Sequence, residues 1–414
     1  MANRPILYLL LALLVISAFI NSGPLLLITI LLALTWGASA LWGRFALTNL
    51  TYQRRFDTTR LTFGEETDLW IEITNAKLLP LAWLRTDDEW PENLPIVGLT
   101  LPPSGRPRRR LLTNLLSMRW YERVRRHYRI RGDRRGLFQL GPVKLTSGDM
   151  FGFRTQSVTL GEADTIIVHP RIMPITQLGL PQARPFGDSR TRRRLYADPL
   201  KIAGARAYTP GDNPRHIHWK ATAHQNALQT RLFDPGADPQ VLLFLNTHTN
   251  EFAYQGVNPE LFELLITIAA SLASDLSENR LPLGLYANGN QPGAEYYIRL
   301  PAARRPDQLL RVLDTLAGLS YVSVTPFETL LRAELQSLPF GASILVITVI
   351  ATEAILAPLL QMQSAGHPVL LITIGNRPPE HIPPQLEHRH LTAEAFTTPD
   401  YSPNGRQHVP LQLD

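Results

Sequence analysis

Three histidines crowd one short stretch, His216, His218 and His224, and imidazoles this close together raise the chemistry of a zinc site. Histidine spacing alone is a weak signal, and thiolate or acidic partners are not evident. The chain has no cysteine, and no carboxylate stands in the matching pattern. The histidines therefore read as surface and packing residues. A serine hydrolase would set its nucleophile in a glycine-x-serine-x-glycine elbow, which the sequence lacks. The one acid beside the histidines, Asp212, is better placed to cap a turn. No glycine-rich loop closed by lysine is present to cradle a triphosphate. With no catalytic group and no cofactor implied, the sequence reads as a binding protein, not an enzyme.

The histidines sit in the segment Arg206-Ala207-Tyr208-Thr209-Pro210-Gly211-Asp212-Asn213-Pro214-Arg215-His216-Ile217-His218-Trp219-Lys220. Pro210-Gly211 favours a tight turn, and Asp212 is placed to cap the following backbone or pair with Arg215. An extended course would put Ile217 and Trp219 on one side and His216, His218 and Lys220 on the other. The expectation is a scaffold segment docked on a sheet edge.

The elements that would hold this segment fall into two grammars. From residue 241 onward, continuous apolar runs alternate with helical periods. Strands are expected at Val241–Leu245, Leu283–Ala287, Tyr296–Leu300, Ile344–Ile350 and Pro368–Ile374. Helices are expected at Pro259–Glu278, Pro306–Leu319 and Thr352–Ser364. That alternation indicates a parallel sheet with helices on both faces. Residues 51–170 instead show short alternating runs between turns, at Thr67–Thr74, Arg126–Ile130, Gly136–Leu140, Val143–Thr146 and Thr165–Val168, which suggest a β-sandwich-like domain. Residues 171–240 form a basic linker and the motif segment, and residues 381–414 a proline-rich tail. The 34 prolines favour short strands and extended connections over a helical bundle.

The net charge of +6 is carried by arginine, which is dense between Arg106 and Arg135. Those arginines read as solvated strand faces, or as a contact for anionic lipid, nucleic acid or an acidic protein. Few aromatic residues interleave with them, which disfavours nucleic acid.

At the amino terminus, Ile6–Ile20 and Leu25–Trp42 are apolar runs joined by Asn21-Ser22-Gly23-Pro24. They read as a transmembrane helical hairpin within residues 1–50, each run near the short end of the ~20 residues a bilayer needs. Arg4 precedes the pair and Arg44, Arg54 and Arg55 follow it, a bias that puts both ends and the soluble body in the cytoplasm. If the first run were a cleaved signal peptide, the second would still cross inward.

The motif segment resembles the hallmark of the domain of unknown function 58 family, arginine-x-tyrosine-x-x-glycine-aspartate-x-x-arginine-x-isoleucine-x-tryptophan. Arg206, Tyr208, Gly211, Asp212, Arg215, Ile217 and Trp219 fill that pattern, while His224 stands where the family often has arginine or lysine. Arg135-Gly136 and Asp149-Met150-Phe151-Gly152 are similar to further family elements. The resemblance implies two membrane helices, a β domain, a von Willebrand factor A-like α/β domain and frequent association with MoxR-type AAA+ ATPases. It implies no settled activity. In a von Willebrand A-type fold the first strand usually ends in aspartate-x-serine-x-serine and chelates a divalent cation. Here those positions read Asn246, His248 and Asn250, and the loop after Ile344–Ile350 begins Ala351-Thr352, without the further acid. No metal is expected at a site so poor in anionic oxygen. Binding of an acidic patch on such an ATPase is expected instead, through these neutral groups and the arginines.

Overall fold

The computed structural model describes residues 4–20, 23–150, 154–161, 163–178, 202–209, 217–225, 227–233, 240–251, 256–291, 296–322, 325–339 and 341–393. The chain divides into two compact units, Met1–His169 and Pro170–Asp414.

The first unit opens with helices α1 (Arg4–Ile20) and α2 (Gly23–Phe45), which pack against each other. Helix α2 is long and apolar enough to cross a membrane. Its 23 residues rise roughly 35 Å, whereas the 17 of α1 rise only about 26 Å, against a hydrocarbon core of ~30 Å. Hydroxyl groups on these helices are satisfied locally: Ser17 Oγ donates to Leu14 O and Thr29 Oγ1 to Leu25 O.

Ten strands follow: β1 (Leu50–Phe56), β2 (Arg60–Leu61), β3 (Glu66–Asn75), β4 (Leu81–Pro91), β5 (Arg109–Met118), β6 (Arg123–Arg131), β7 (Gly136–Leu140), β8 (Val143–Gly148), β9 (Thr155–Leu160) and β10 (Asp164–Val168). They form sheets ordered β1-β3-β6, β2-β10-β7 and β5-β4-β8-β9 around one core. Period-two alternation sets the faces. Leu69, Ile71 and Ile73 of β3 turn inward, where Trp90 of β4 and Ile130 of β6 are also fully buried.

The outward face of β3 explains the arginines. Register pairs Glu66 with Arg131, Asp68 with Arg129 and Glu72 with Arg125. Arg123 and Arg125 both reach Glu72 at 3.1 Å, and Arg129 lies 3.5 Å from Glu66. Arg106 and Arg110 meet Glu89 and Glu92, and Arg131 meets Asp133. The arginine-rich stretch is thus largely a cross-strand charge ladder, not a uniformly positive patch. Arg54 also departs from its expected role as a flanking cation. Its side chain is 3% exposed and grips Asp88 with two hydrogen bonds, at 2.8 and 2.7 Å, and Asp164 at 2.7 Å. Tyr52 donates to the same Asp88 at 2.8 Å. Burial and the Asp88 charge raise the Tyr52 phenol, and its carboxylate partners keep Arg54 protonated despite its burial.

In the second unit, a short 3-10 turn (Ile175–Leu178) precedes β11 (Ile202–Ala207), α3 (Trp219–Gln225) and β12 (Gln229–Phe233). Strands β11 and β12 pair as an antiparallel ribbon. The large sheet comprises β13 (Val241–Leu245), β14 (Leu283–Ala287), β15 (Ile298–Ala303), β16 (Ser343–Thr348), β17 (Val369–Gly375) and β18 (Glu387–Thr392), in the order β15-β14-β13-β16-β17-β18. It is parallel except for β15, which runs against β14, a correction to the expected uniform direction. Helices α4 (Pro259–Glu278) and α5 (Gln308–Gly318) cover the face carrying Leu243 and Leu245. Helices α6 (Phe327–Glu334) and α7 (Glu353–Ser364) cover the face carrying Leu242 and Phe244. Asn258 caps α4 through Glu260 N and Leu261 N, and Pro259 fills its first turn. Within the stretch read as a featureless tail, β18 completes the sheet beside β17.

Candidate functional site

Strand order reverses at β13: the chain moves from β13 to β14 on one side, then returns to β16 on the other. The crevice at the carboxyl ends of strands flanking such a reversal is the favoured binding place in open α/β sheets. Register aligns Leu245 with Ala287 and Ile347, so Asn246, Asn288 and Thr348 follow as one row across β13, β14 and β16. All three are buried, at 1%, 0% and 0% exposure.

The row is closed by its own hydrogen bonds. Asn246 Nδ2 donates to Thr348 Oγ1 at 3.0 Å, and Asn246 Oδ1 accepts from Asn288 Nδ2 and the His248 amide, each at 3.1 Å. Asn288 Oδ1 accepts from the amide and hydroxyl of Thr247 at 2.7 and 3.0 Å. Thr348 Oγ1 donates to Ile350 O at 2.7 Å and accepts from Ile350 N at 3.0 Å. Only an amide at 246 can donate to Thr348 while accepting from two N–H groups, so the loss of the acid is built into the network. The side-chain oxygens a cation would need are already turned to donors. This donor set does not fit a hard divalent ion, and among the described residues no group of three His, Cys, Asp or Glu converges. Gly289 lets the next loop close over the row: a Cβ there would meet Ser320 O at 2.8 Å and Thr247 Cγ2 at 2.9 Å.

Around this neutral floor the rim is exposed. His248 is half-buried, and desolvation holds its pKa below the ordinary value, opposed by the charge of Glu328. Asn250 Nδ2 donates to Gly256 O at 2.9 Å, which shapes the loop ahead of α4. Tyr296 (70%), just ahead of β15, and Tyr321 (49%) and Val322 (54%), in the loop after α5 that bridges to Asn290 beyond β14, are exposed. Sequence reasoning found Asn246, His248 and Asn250 but missed Asn288, Tyr296, Tyr321 and Val322. The signal available for Asn288 was its place one residue beyond a buried strand, and no such regularity marked the rim aromatics.

The motif segment is placed apart from this row. Arg206 ends β11 and bonds Ala207 O and Thr209 Oγ1 at 3.1 and 3.2 Å. Tyr208 N donates to Leu228 O, and Ile217 bridges to Thr230 of β12. Gly211, Asp212, Arg215 and His216 lie outside the described residues. The expectation that Ile217 and Trp219 share a face of an extended stretch does not hold. Trp219 begins α3 and is 67% exposed. The helix starts there because His218 Nδ1 accepts from Ala221 N at 3.1 Å, as a capping group does. His218 therefore serves the backbone, and His224 is exposed on α3. The segment leans on its own ribbon.

Residues 204–387 match the family model described as Protein of unknown function DUF58. The match spans the ribbon and most of the six-stranded sheet. It is similar to the uncharacterized protein YeaD of Bacillus subtilis, at 22% identity over 248 residues, which are 60% of this chain and 58% of that protein. Among solved structures, it has a likeness to the CARDB domain of a Pyrococcus furiosus protein in complex with di-metal ions, at 12% identity and TM-score 0.19, covering 29% of this chain and 91% of the domain. A β-glucosidase of Listeria innocua in complex with glucose matches at 11% identity and TM-score 0.17, covering 29% of this chain and 16% of the enzyme. Likenesses this partial define neither fold nor function here.

Proposed function

We propose that the chain is a membrane-tethered, non-enzymatic protein-interaction or assembly factor, whose von Willebrand A-like unit offers its carboxyl sheet edge to a MoxR-type AAA+ ATPase. The observation that carries this reading is the pairing of a rigid, internally satisfied floor, Asn246–Asn288–Thr348, with the exposed rim of Tyr296, Tyr321 and Val322. Exposed tyrosines on a rigid frame suit protein recognition, because they bury much area at small entropic cost. The reading further takes α1 and α2 as a two-span anchor with the body in the cytoplasm, supported by Arg4 and Arg44 at the helix ends. Contact through the arginines of β6, with nucleic acid or anionic lipid, is the second reading; Glu66 and Glu72 offset part of that charge by pairing with Arg123, Arg125 and Arg129.

The test is a pull-down of the ATPase by the full chain across a salt series, with and without chelator. Association through an aromatic and neutral rim should survive moderate salt and be indifferent to chelator. No association at any salt, with both proteins folded, contradicts the proposal.

A further inference from the structure

At the opposite, amino end of the parallel strands lies a cavity of about 690 Å³, bordered by the start of β14 at Leu283 and the end of β15 at Ala303. Its size is that of a small-molecule site. Among the described residues its lining includes three arginines, Arg280, Arg304 and Arg305, and Asp307 follows the stretch Ala303–Pro306. Leu281, Leu283, Pro306 and Leu309 give it an apolar wall, and the amino terminus of α5 opens onto it. Asp307 stands at the N-cap position without a side-chain cap hydrogen bond, and Gln308 N already donates to Arg305 O at 3.1 Å.

Two further details shape the cavity wall. Helix α4 ends in a paired motif in which Arg280 N donates to Ser277 O at 2.9 Å and Leu281 N to Leu276 O at 3.0 Å. The residue between the cap and Leu281 must be left-handed, and glycine is the usual choice. This chain places arginine there, at φ 56°, and so accepts a conformation L-residues disfavour while gaining a cation in the cavity wall. The second detail is Gln308, 4% exposed. Its Nε2 donates to Leu283 O at 2.7 Å and Pro301 O at 3.0 Å, which fixes the amide. Its Oε1 is buried without a hydrogen-bond partner among the described residues.

We propose that this cavity binds a phosphorylated organic molecule of nucleotide or sugar-phosphate size. The arginines hold the phosphate, and the apolar wall meets the body of the ligand. Arginine forks match phosphate oxygens in pairs, which sets this class above a simple halide or a neutral ligand.

The experiment is thermal unfolding of the full chain in detergent, titrated separately with ADP and glucose 6-phosphate, with adenosine and glucose as uncharged controls. A ligand that binds only the native state raises the melting temperature saturably. At least one phosphate should do so while its uncharged counterpart does not, and the arm that responds identifies nucleotide or sugar as the body. In Arg280→Gly with Arg305→Gln the response should weaken by about tenfold or more. The glycine suits the left-handed position, so the unliganded variant should melt no lower for that change. No saturable shift with either phosphate, an equal shift with the uncharged compounds, or full retention of the response in the double variant would overturn the proposal.

Discussion

Two buried polar networks, one in each unit, are built from opposite chemistry. In the first, Arg54, Asp88, Asp164 and Tyr52 form a charged network that joins β1, β4 and β10. In the second, Asn246, Asn288, Thr247 and Thr348 form a neutral one across three strand ends. Both are satisfied, but they fail differently. Removing one member of an ion pair strands a charge in a poor dielectric, whereas breaking an amide ring strands a dipole. Charge is thus used where the β unit needs sheets fastened together. At the carboxyl edge its absence leaves a floor that neither needs nor suits a counter-ion.

The largest effect is therefore expected from Asp88→Ala, which leaves Arg54 buried opposite only the half-exposed Asp164. It should destabilise the first unit by about 3–5 kcal/mol in urea unfolding, with Arg54→Met in the same chain recovering much of the loss. A cost near zero would show that the network is not what fastens the sheets.

Next comes Asn246→Asp, which puts a carboxylate in the neutral row. A loss of about 2 kcal/mol is expected near neutral pH. Desolvation would raise the new group's folded pKa above its unfolded value, so the loss should appear as pH rises through the folded pKa and vanish in acid. Magnesium should not move the melting temperature of the wild type. Rescue of the variant by magnesium would sharpen the comparison, by showing that one amide separates this edge from an ion site.

A smaller effect is expected at Lys77, whose Nζ donates to Ala46 O and Thr48 O at 2.6 and 2.7 Å, just past the end of α2. Burial pulls its pKa from 10.5 to about 8. The unfolded chain then binds the extra proton between these values, so stability should increase as pH rises from about 8 to 10.5. Lys77→Met should flatten that slope and cost about 1–3 kcal/mol for two buried carbonyls left unpaired. Smallest is Arg129→Gln on the exposed ladder, within about 0.5 kcal/mol in moderate salt.

Which parts were legible in the sequence follows from where the physics is local. Val241–Leu245, Leu283–Ala287 and Pro259–Glu278 were readable to their ends, because a strand buried on both faces and a proline-opened helix of helical period announce themselves. Strand β4 was missed because Asp87, Asp88 and Glu89 break its apolar pattern, and Asp88 is inside only because Arg54 meets it. Strand β18 was missed because His388 and His390 face a partner, Thr373 of β17, that only the register supplies. At the candidate site, Asn246 was named through the family resemblance, as the position where a von Willebrand A-type strand would end. The ring it closes depends on Asn288 and Thr348, 42 and 102 residues away in sequence, and no local pattern joins them.

The central claim, that the carboxyl edge is the partner surface, is tested most directly by site-specific photocrosslinking in native membranes. A photoreactive residue would replace His248 at the rim or, as the control, Arg129 on the charge ladder. Capture of a MoxR-type ATPase from position 248 and not from position 129 is the predicted result. Capture from position 129 alone, in a folded and membrane-bound protein, would contradict the account and return the arginine face to first place.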